Sequence, residues 1–315
     1  MTLTGNGFAS GSTVQWNGRN RTTSFGSLTR LTATIPASDI AAVGTAQVTV
    51  VNPSPGGGTS NALTFTINPG AFTAAPAINS GGVVSAAASA TQVAVAGSVA
   101  SVFGSNFASS TVFATSLPLP TTLAGVSIQI NGLAVPLFAV SAQQINFQVP
   151  WYLQGQSQVT MTILANGVVS SPMTISLAPY SPALFSTNQQ GTGQGVIAIG
   201  NTGVIAAPQG MFPGSRPVNR GEVIAVYCTG LGPVTAQPAT GSGSAASADA
   251  NTSTLPTATI GGIAATVSFS GLAPGLVGVY QVNIIVPANA PVSDVVPLVL
   301  SIGGLDSNKV TLAVQ

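Results

Sequence analysis

Hydrophobic positions along this chain come in short runs with a period of two. Leu63, Phe65 and Ile67 alternate with Thr64 and Thr66, and Val48 and Val50 flank Thr49. Val159, Met161 and Ile163 repeat the pattern, as do Val310, Leu312 and Val314 near the end. Alternation turns one face of a strand to a core and the other to water, so these runs predict half-buried strands. Gly, Asn, Pro and Ser punctuate the runs at the spacing of an all-β fold. Asn17-Gly18 is a type I′ hairpin signal, and Asn131-Gly132 and Asn166-Gly167 mark further turns. Residues 86–96 are Ala-rich enough for a weak helix, but Val93 and Val95 alternate, which favours an extended segment around 91–95.

One plan recurs. Residues 260–287, IGGIAATVSFSGLAPGLVGVYQVNIIVP, read as strand, Gly-Gly turn, strand, Gly/Pro loop and a strand ending in Val-Pro. Residues 130–150, INGLAVPLFAVSAQQINFQVP, and residues 16–36, WNGRNRTTSFGSLTRLTATIP, follow it. The architecture expected is all-β, three tandem immunoglobulin-like β-sandwich domains. They would span residues 1–68, 97–179 and 180–315, the last opening with a hairpin at 195–208. Residues 69–96 read as a Pro/Ala/Gly/Ser-rich linker ending in an extended lead-in strand, and residues 240–254 as a mobile, low-complexity surface loop. The segments ending in Ile35-Pro36, Val149-Pro150 and Val286-Pro287 should hold one sheet position. Each Pro would close its strand, because it has no N–H for the ladder.

Within residues 1–67, the segments LTGNGFASGSTVQWNG, LTATIP, VTVVNPSPGGGTSN and LTFTI resemble an IPT/TIG domain, an immunoglobulin-like fold. That resemblance implies a first strand ahead of LTGNGF. The expectation is that this strand was lost with a precursor or comes from another chain. GTGQG, YCTGLGP, GLAPGLVGVYQVNIIVP and SNKVTLAVQ, within residues 192–315, resemble an uncharacterised C-terminal module of secreted acidobacterial proteins. Residues 97–179 look like a looser copy. This second resemblance implies fold and export, and no chemistry.

Composition changes the picture in one respect. Charged residues are only 3% of the 315, against about 25% in an ordinary soluble domain. Hydrophobic residues are 45%, enough to fold. With a net charge of +1 there is little self-repulsion, so the chain should associate readily. No basic cluster offers a footprint for nucleic acid. No apolar run reaches the length of a membrane span. Met1 leads into TLTGNGF without a leader pattern, which suggests the trimmed form of an exported precursor. Cys228 stands alone, so no intrachain disulfide can form. A small buried strand residue is the expected role, with an intermolecular disulfide as the alternative.

The chain has no His, which removes Ser-His-Asp, Cys-His and His-based metal chemistry. Its acids are Asp39, Glu222, Asp249, Asp294 and Asp306. Asp294 and Asp306 could approach as a carboxylate pair, but solvated loop acids are the plainer reading. Asp249 with Ser247, Asn251 and Ser253 lacks the ordered spacing of a calcium loop. No catalytic residue, metal or cofactor is expected. Trp151 and Tyr152 are adjacent aromatics that cannot both face one core. They suit a sugar-stacking platform, a subunit contact, or packing between the second and third domains.

The function expected is a non-enzymatic extracellular or cell-surface structural protein. It would self-associate into a filament or surface layer by β-strand addition at a free edge near Leu3 and Phe8. Residues 71–77 and 83–95 are the donor candidates. The partners are other copies of the chain. The alternatives are an adhesin or carbohydrate-binding module with a surface polysaccharide as partner, and the non-catalytic tail of a secreted enzyme.

Overall fold

The computed structural model describes residues 1–40, 42–55, 57–68, 74–88, 93–200, 202–245 and 250–315. The chain divides into two compact units, Met1–Ala71 and Phe72–Gln315. Its regular elements are strands, with two single 3-10 turns among the described residues.

Met1–Ala71 is one sandwich. A three-stranded sheet runs in the order Thr2–Thr4, Arg30–Ala33, Thr23–Ser27. The facing sheet is built on Gly44–Asn52, which pairs with Thr13–Trp16 on one side and with Gly58–Thr59 and Leu63–Ile67 on the other. Alternation does the sorting: Val14 and Trp16, Leu31 and Ala33, and Ala46, Val48 and Val50 point into the core.

Phe72–Gln315 holds two further sandwiches. In the first, Leu137–Val140, Gln144–Gln148, Val99–Ser105 and Ala77–Ser85 are consecutive neighbours in one sheet. Met173–Leu177, Gln158–Ala165 and Val126–Ile130 form the facing sheet, and Ile128, Met161, Ile163 and Phe147 pack between them. In the second, Val223–Thr229, Tyr280–Ile285 and Ile263–Leu272 face Thr257–Ile260, Ser293–Ile302 and Val310–Val314. Ile263–Leu272 serves both sheets: its start pairs with Thr257–Ile260 and its remainder with Tyr280–Ile285. The corresponding strand of the preceding sandwich is interrupted at Pro136, between Leu133–Ala134 and Leu137–Val140.

The threefold plan is visible in the hydrogen bonds. Arg30–Ala33, Gln144–Gln148 and Tyr280–Ile285 are each a middle strand, flanked by equivalent neighbours. After each, the Pro carbonyl accepts from the N–H three residues on: Asp39 to Pro36 at 3.0 Å, Leu153 to Pro150 at 3.2 Å, Ala290 to Pro287 at 3.0 Å. Asn17-Gly18, Asn131-Gly132 and Asn166-Gly167 all have both residues at positive φ, as a type I′ turn requires.

Three local expectations are corrected. Residues 69–96 are more than a linker, since Ala77–Ser85 is a nine-residue strand paired with Val99–Ser105. Its buried Val83 and Val84 outweigh the Pro/Ala/Gly composition around them. That pairing, and the parallel pairing of Val93–Ala94 with Met173–Leu177, also engages Ala77, Val83, Val84, Ser85, Val93 and Ala94 within the two candidate donor segments. Residues 71–73 and 89–92 lie outside the described residues. Residues 240–245 and 250–254 are not a free loop: Gly241 is locked against the neighbouring sandwich, Ser244 bridges to Pro274, Asn251 bridges to Gly271, and Ala250 is buried, while the remainder of the expected loop, 246–249, lies outside the described residues. Ser247 and Asp249 lie outside the described residues. Leu63–Ile67, expected to be half-buried, is exposed at four of its five positions.

Candidate functional site: a free sheet edge and a sealed junction

The three sandwiches differ at one edge. Val99–Ser105 has Gln144–Gln148 on one side and Ala77–Ser85 on the other. Val223–Thr229 has Tyr280–Ile285 on one side and Ala183–Leu184 with Ile197–Ile199 on the other. Thr2–Thr4 holds the same place in Met1–Ala71, beside Arg30–Ala33, but among the described residues no strand covers its outer edge. Its neighbour across the sandwich is the outer edge of Leu63–Ile67, which pairs only with Gly44–Asn52.

A groove of about 370 Å³ runs between these two edges. Leu3, Phe8, Val48, Val50, Leu63 and Phe65 give it an apolar floor, and Thr2, Thr4 and Ser60 line its rim. A second stretch of about 300 Å³ shares Phe8, Val50 and Ser60 with it and reaches Gly58. Leu63 is 66% exposed and Phe65 40%, although Phe65 leans on buried Trp16 at 5.2 Å between ring centroids. The alternating strand LTFTI therefore has an inward face with nothing opposite part of it. Leu3 is half-buried and Phe8 buried, and both belong to the groove.

The other two predicted residues lie in a different setting. Trp151 is 3% exposed and packs in the core of the last sandwich, although it follows the middle strand of the sandwich before. Its ring lies against Gly97, where an added Cβ would fall 2.1 Å from the indole. Its backbone N–H donates to Thr240 Oγ1 at 3.2 Å. Trp151 thus joins two sandwiches and offers no face to a sugar. Its Nε1 has no partner among the described residues. Tyr152 points away and is 46% exposed, with its phenol pushed above its ordinary pKa by partial burial.

Buried polar bridges complete this junction. Gln148 is fully buried; its Nε2 donates to Gly97 O at 3.4 Å and its Oε1 accepts from Gly241 N–H at 2.6 Å. Thr229 Oγ1 accepts from Val99 N–H at 3.0 Å and donates to Gly278 O at 2.8 Å. Sequence reasoning missed Gln148 and Thr229, because each sits on a strand where alternation alone assigns it to a solvent face.

Asp294 and Asp306 do not converge. Asp306 pairs opposite Ser301 and Asp294 sits at the start of the same strand, Ser293–Ile302. The seven steps from 294 to 301 separate them by about 23 Å at strand rise. Both are exposed. Glu222 is engaged by Arg216 through two contacts of 2.8 and 2.9 Å and accepts from Asn219 N–H at 2.6 Å. Arg216 first, and Asn219 with it, lower the Glu222 pKa to about 2. Cys228 is fully buried and burial pushes its thiol pKa up, so it is a packed core residue out of reach of another chain's thiol. Among the described residues no group of three or more His, Cys, Asp or Glu could hold a metal ion. No helix among them is long and apolar enough to cross a membrane.

Residues 1–67 match the IPT/TIG domain. No curated protein matches the sequence. Among solved structures, the I9-I11 tandem of titin is 10% identical, with 99% of this chain and 91% of that chain covered and a TM-score of 0.21. The plexin A4 extracellular region is 8% identical over 97% of this chain and 31% of its own, with a TM-score of 0.26. A calcium-stabilised, ice-binding adhesin of an Antarctic bacterium is 16% identical over 96% and 65%, with a TM-score of 0.18. All three scores fall below the level at which two chains share one overall arrangement.

Proposed function

We propose that this protein is a non-enzymatic structural component of an extracellular or cell-surface assembly, built by strand addition into its first sandwich. The observation that carries the reading is the contrast at one edge. The last two sandwiches cover it with a strand of their own; in the first, among the described residues, the outer edge of Thr2–Thr4 has no paired strand and lies above an apolar groove. An extended, uncharged segment of a second copy would pair with Thr2–Thr4 and bury Leu63 and Phe65. Burial of a side chain of that size is worth about 1.5–3 kcal/mol. Strand addition from chain to chain is head-to-tail, so it extends into a filament unless the rotation closes a ring. The low charge of the chain removes the repulsion that would oppose such packing. Export is also what the resemblance of residues 192–315 to secreted proteins implies.

Sedimentation velocity over a concentration series, with negative-stain microscopy of the same samples, tests this. The expected result is a growing series of assemblies. Leu63→Lys places a charge in the groove and should return the protein to monomer, with its thermal transition shifted little because Leu63 is mostly exposed in the single chain. A wild-type chain that stays monomeric at every concentration refutes the reading, as does a Leu63→Lys chain that assembles normally.

A further inference from the structure

The last two sandwiches share a surface feature that their cores do not require. Aligned on the closing Val-Pro, Gln144 and Asn146 match Gln281 and Asn283. Both pairs stand on the outer face of a middle strand, and in both the Gln Nε2 donates to the Asn Oδ1 at 2.8 Å. Each Gln lies opposite an aromatic residue on the next strand, Phe103 opposite Gln144 and Tyr227 opposite Gln281. The first sandwich has Arg30 and Thr32 at the Gln and Asn positions, so the fold itself does not need the amides.

The first of these triads lies in a groove of about 520 Å³, together with Ser101, Phe113 and Phe138. A bulge between Leu137 and Ala139 leaves Phe138 on the outer face, and Phe113 is 67% exposed. Ser101 Oγ donates to Asn146 Oδ1 at 2.9 Å, which fixes the amide further. A second stretch, of about 480 Å³, shares Phe185 and Val279 with the first and reaches Tyr227. None of the residues lining either stretch carries a charge. Asn146 and Asn283 each hold their Nδ2, and Gln144 and Gln281 their Oε1, without a partner among the described residues. These groups are oriented by the bonds already made and left over for a ligand.

We propose that this groove binds an uncharged glycan chain. Aromatic faces receive the C–H faces of sugar rings, and fixed amides exchange hydrogen bonds with ring hydroxyls. The absence of charge argues against anionic polymers. Gln144–Gln148 is flanked by strands on both sides, so its backbone is already paired and a peptide cannot be taken up there by strand addition. The ligand must be read by side chains. This site is independent of the groove in Met1–Ala71.

The test is isothermal titration calorimetry of the full chain with soluble dextran, laminarin, xyloglucan and galactomannan, and with alginate as a charged control. At least one neutral polysaccharide should bind and alginate should not. Phe113→Ala, at an exposed position that cannot unfold the sandwich, should weaken binding about tenfold, and Asn146→Ala by a similar factor. Leu63→Lys should leave it unchanged. No binding to any of the neutral polymers overturns the proposal. So does binding only to alginate, or binding that Phe113→Ala and Asn146→Ala leave intact.

Discussion

Met1–Ala71 and Phe72–Gln315 are built on one plan and close it differently. In the first, eight buried apolar side chains among the described residues form the core, and the groove beside Thr2–Thr4 leaves part of the inward face of Leu63–Ile67 uncovered. In the first sandwich of the second unit, twenty-two such side chains do so, and Ala77–Ser85 covers the equivalent edge. The second unit also spends polar side chains on closure. Gln148 and Thr229 tie four backbone groups across a buried junction, and Trp151 plugs one sandwich into the next. The difference teaches that sandwiches built on one plan can close the edge of the first sheet or leave it open. Within one chain that cover is the preceding segment. Where the edge is open, the same physics favours association.

Breaking the junction should give the largest effect. Trp151→Ala removes an indole from a closed core and should cost about 3–5 kcal/mol. Calorimetry of the full chain should show the transition of Phe72–Gln315 shifted down and split, with the two sandwiches melting apart. An unshifted transition would mean that the indole does not couple them.

Gln148→Leu keeps the volume but strands Gly241 N–H and Gly97 C=O in a buried site. Each unsatisfied buried group costs about 1–3 kcal/mol, so the two together should cost about as much as Trp151→Ala. Urea denaturation should register it in Phe72–Gln315 alone. A loss in the transition of Met1–Ala71 as well would erase the distinction between the two units.

The smallest effect is acid sensitivity. Glu222 is held at about 2, below its ordinary 4.5, so its contribution is fully present above pH 4.5 and is lost as the pH falls through about 2. Both partners are about a third exposed, so the loss is small. Urea midpoints should fall over that window in the wild type and less in Glu222→Gln. Equal falls in both would place the acid sensitivity elsewhere.

Period-two patterning, Asn-Gly turns and the repeated Val-Pro or Ile-Pro ending were enough to read the all-β class and the threefold plan, because alternation and turn chemistry are local. The open edge near Leu3 and Phe8 was an expectation drawn from the resemblance of residues 1–67 to an IPT/TIG domain; among the described residues Thr2–Thr4 pairs only with Arg30–Ala33. Residues 240–245 misled because low complexity predicts a loop, whereas Gly241 is held by a glutamine ninety-three positions away. Leu63–Ile67 misled for the opposite reason: alternation states which face a strand would bury and is silent on whether another strand lies opposite. Trp151 could be placed only as one of an exposed or packed pair. Which core it enters, which edge stays open, and which outward amides gather into one groove are matters of long-range pairing. They depend on contacts between residues far apart in the chain, and the tertiary structure alone decides them.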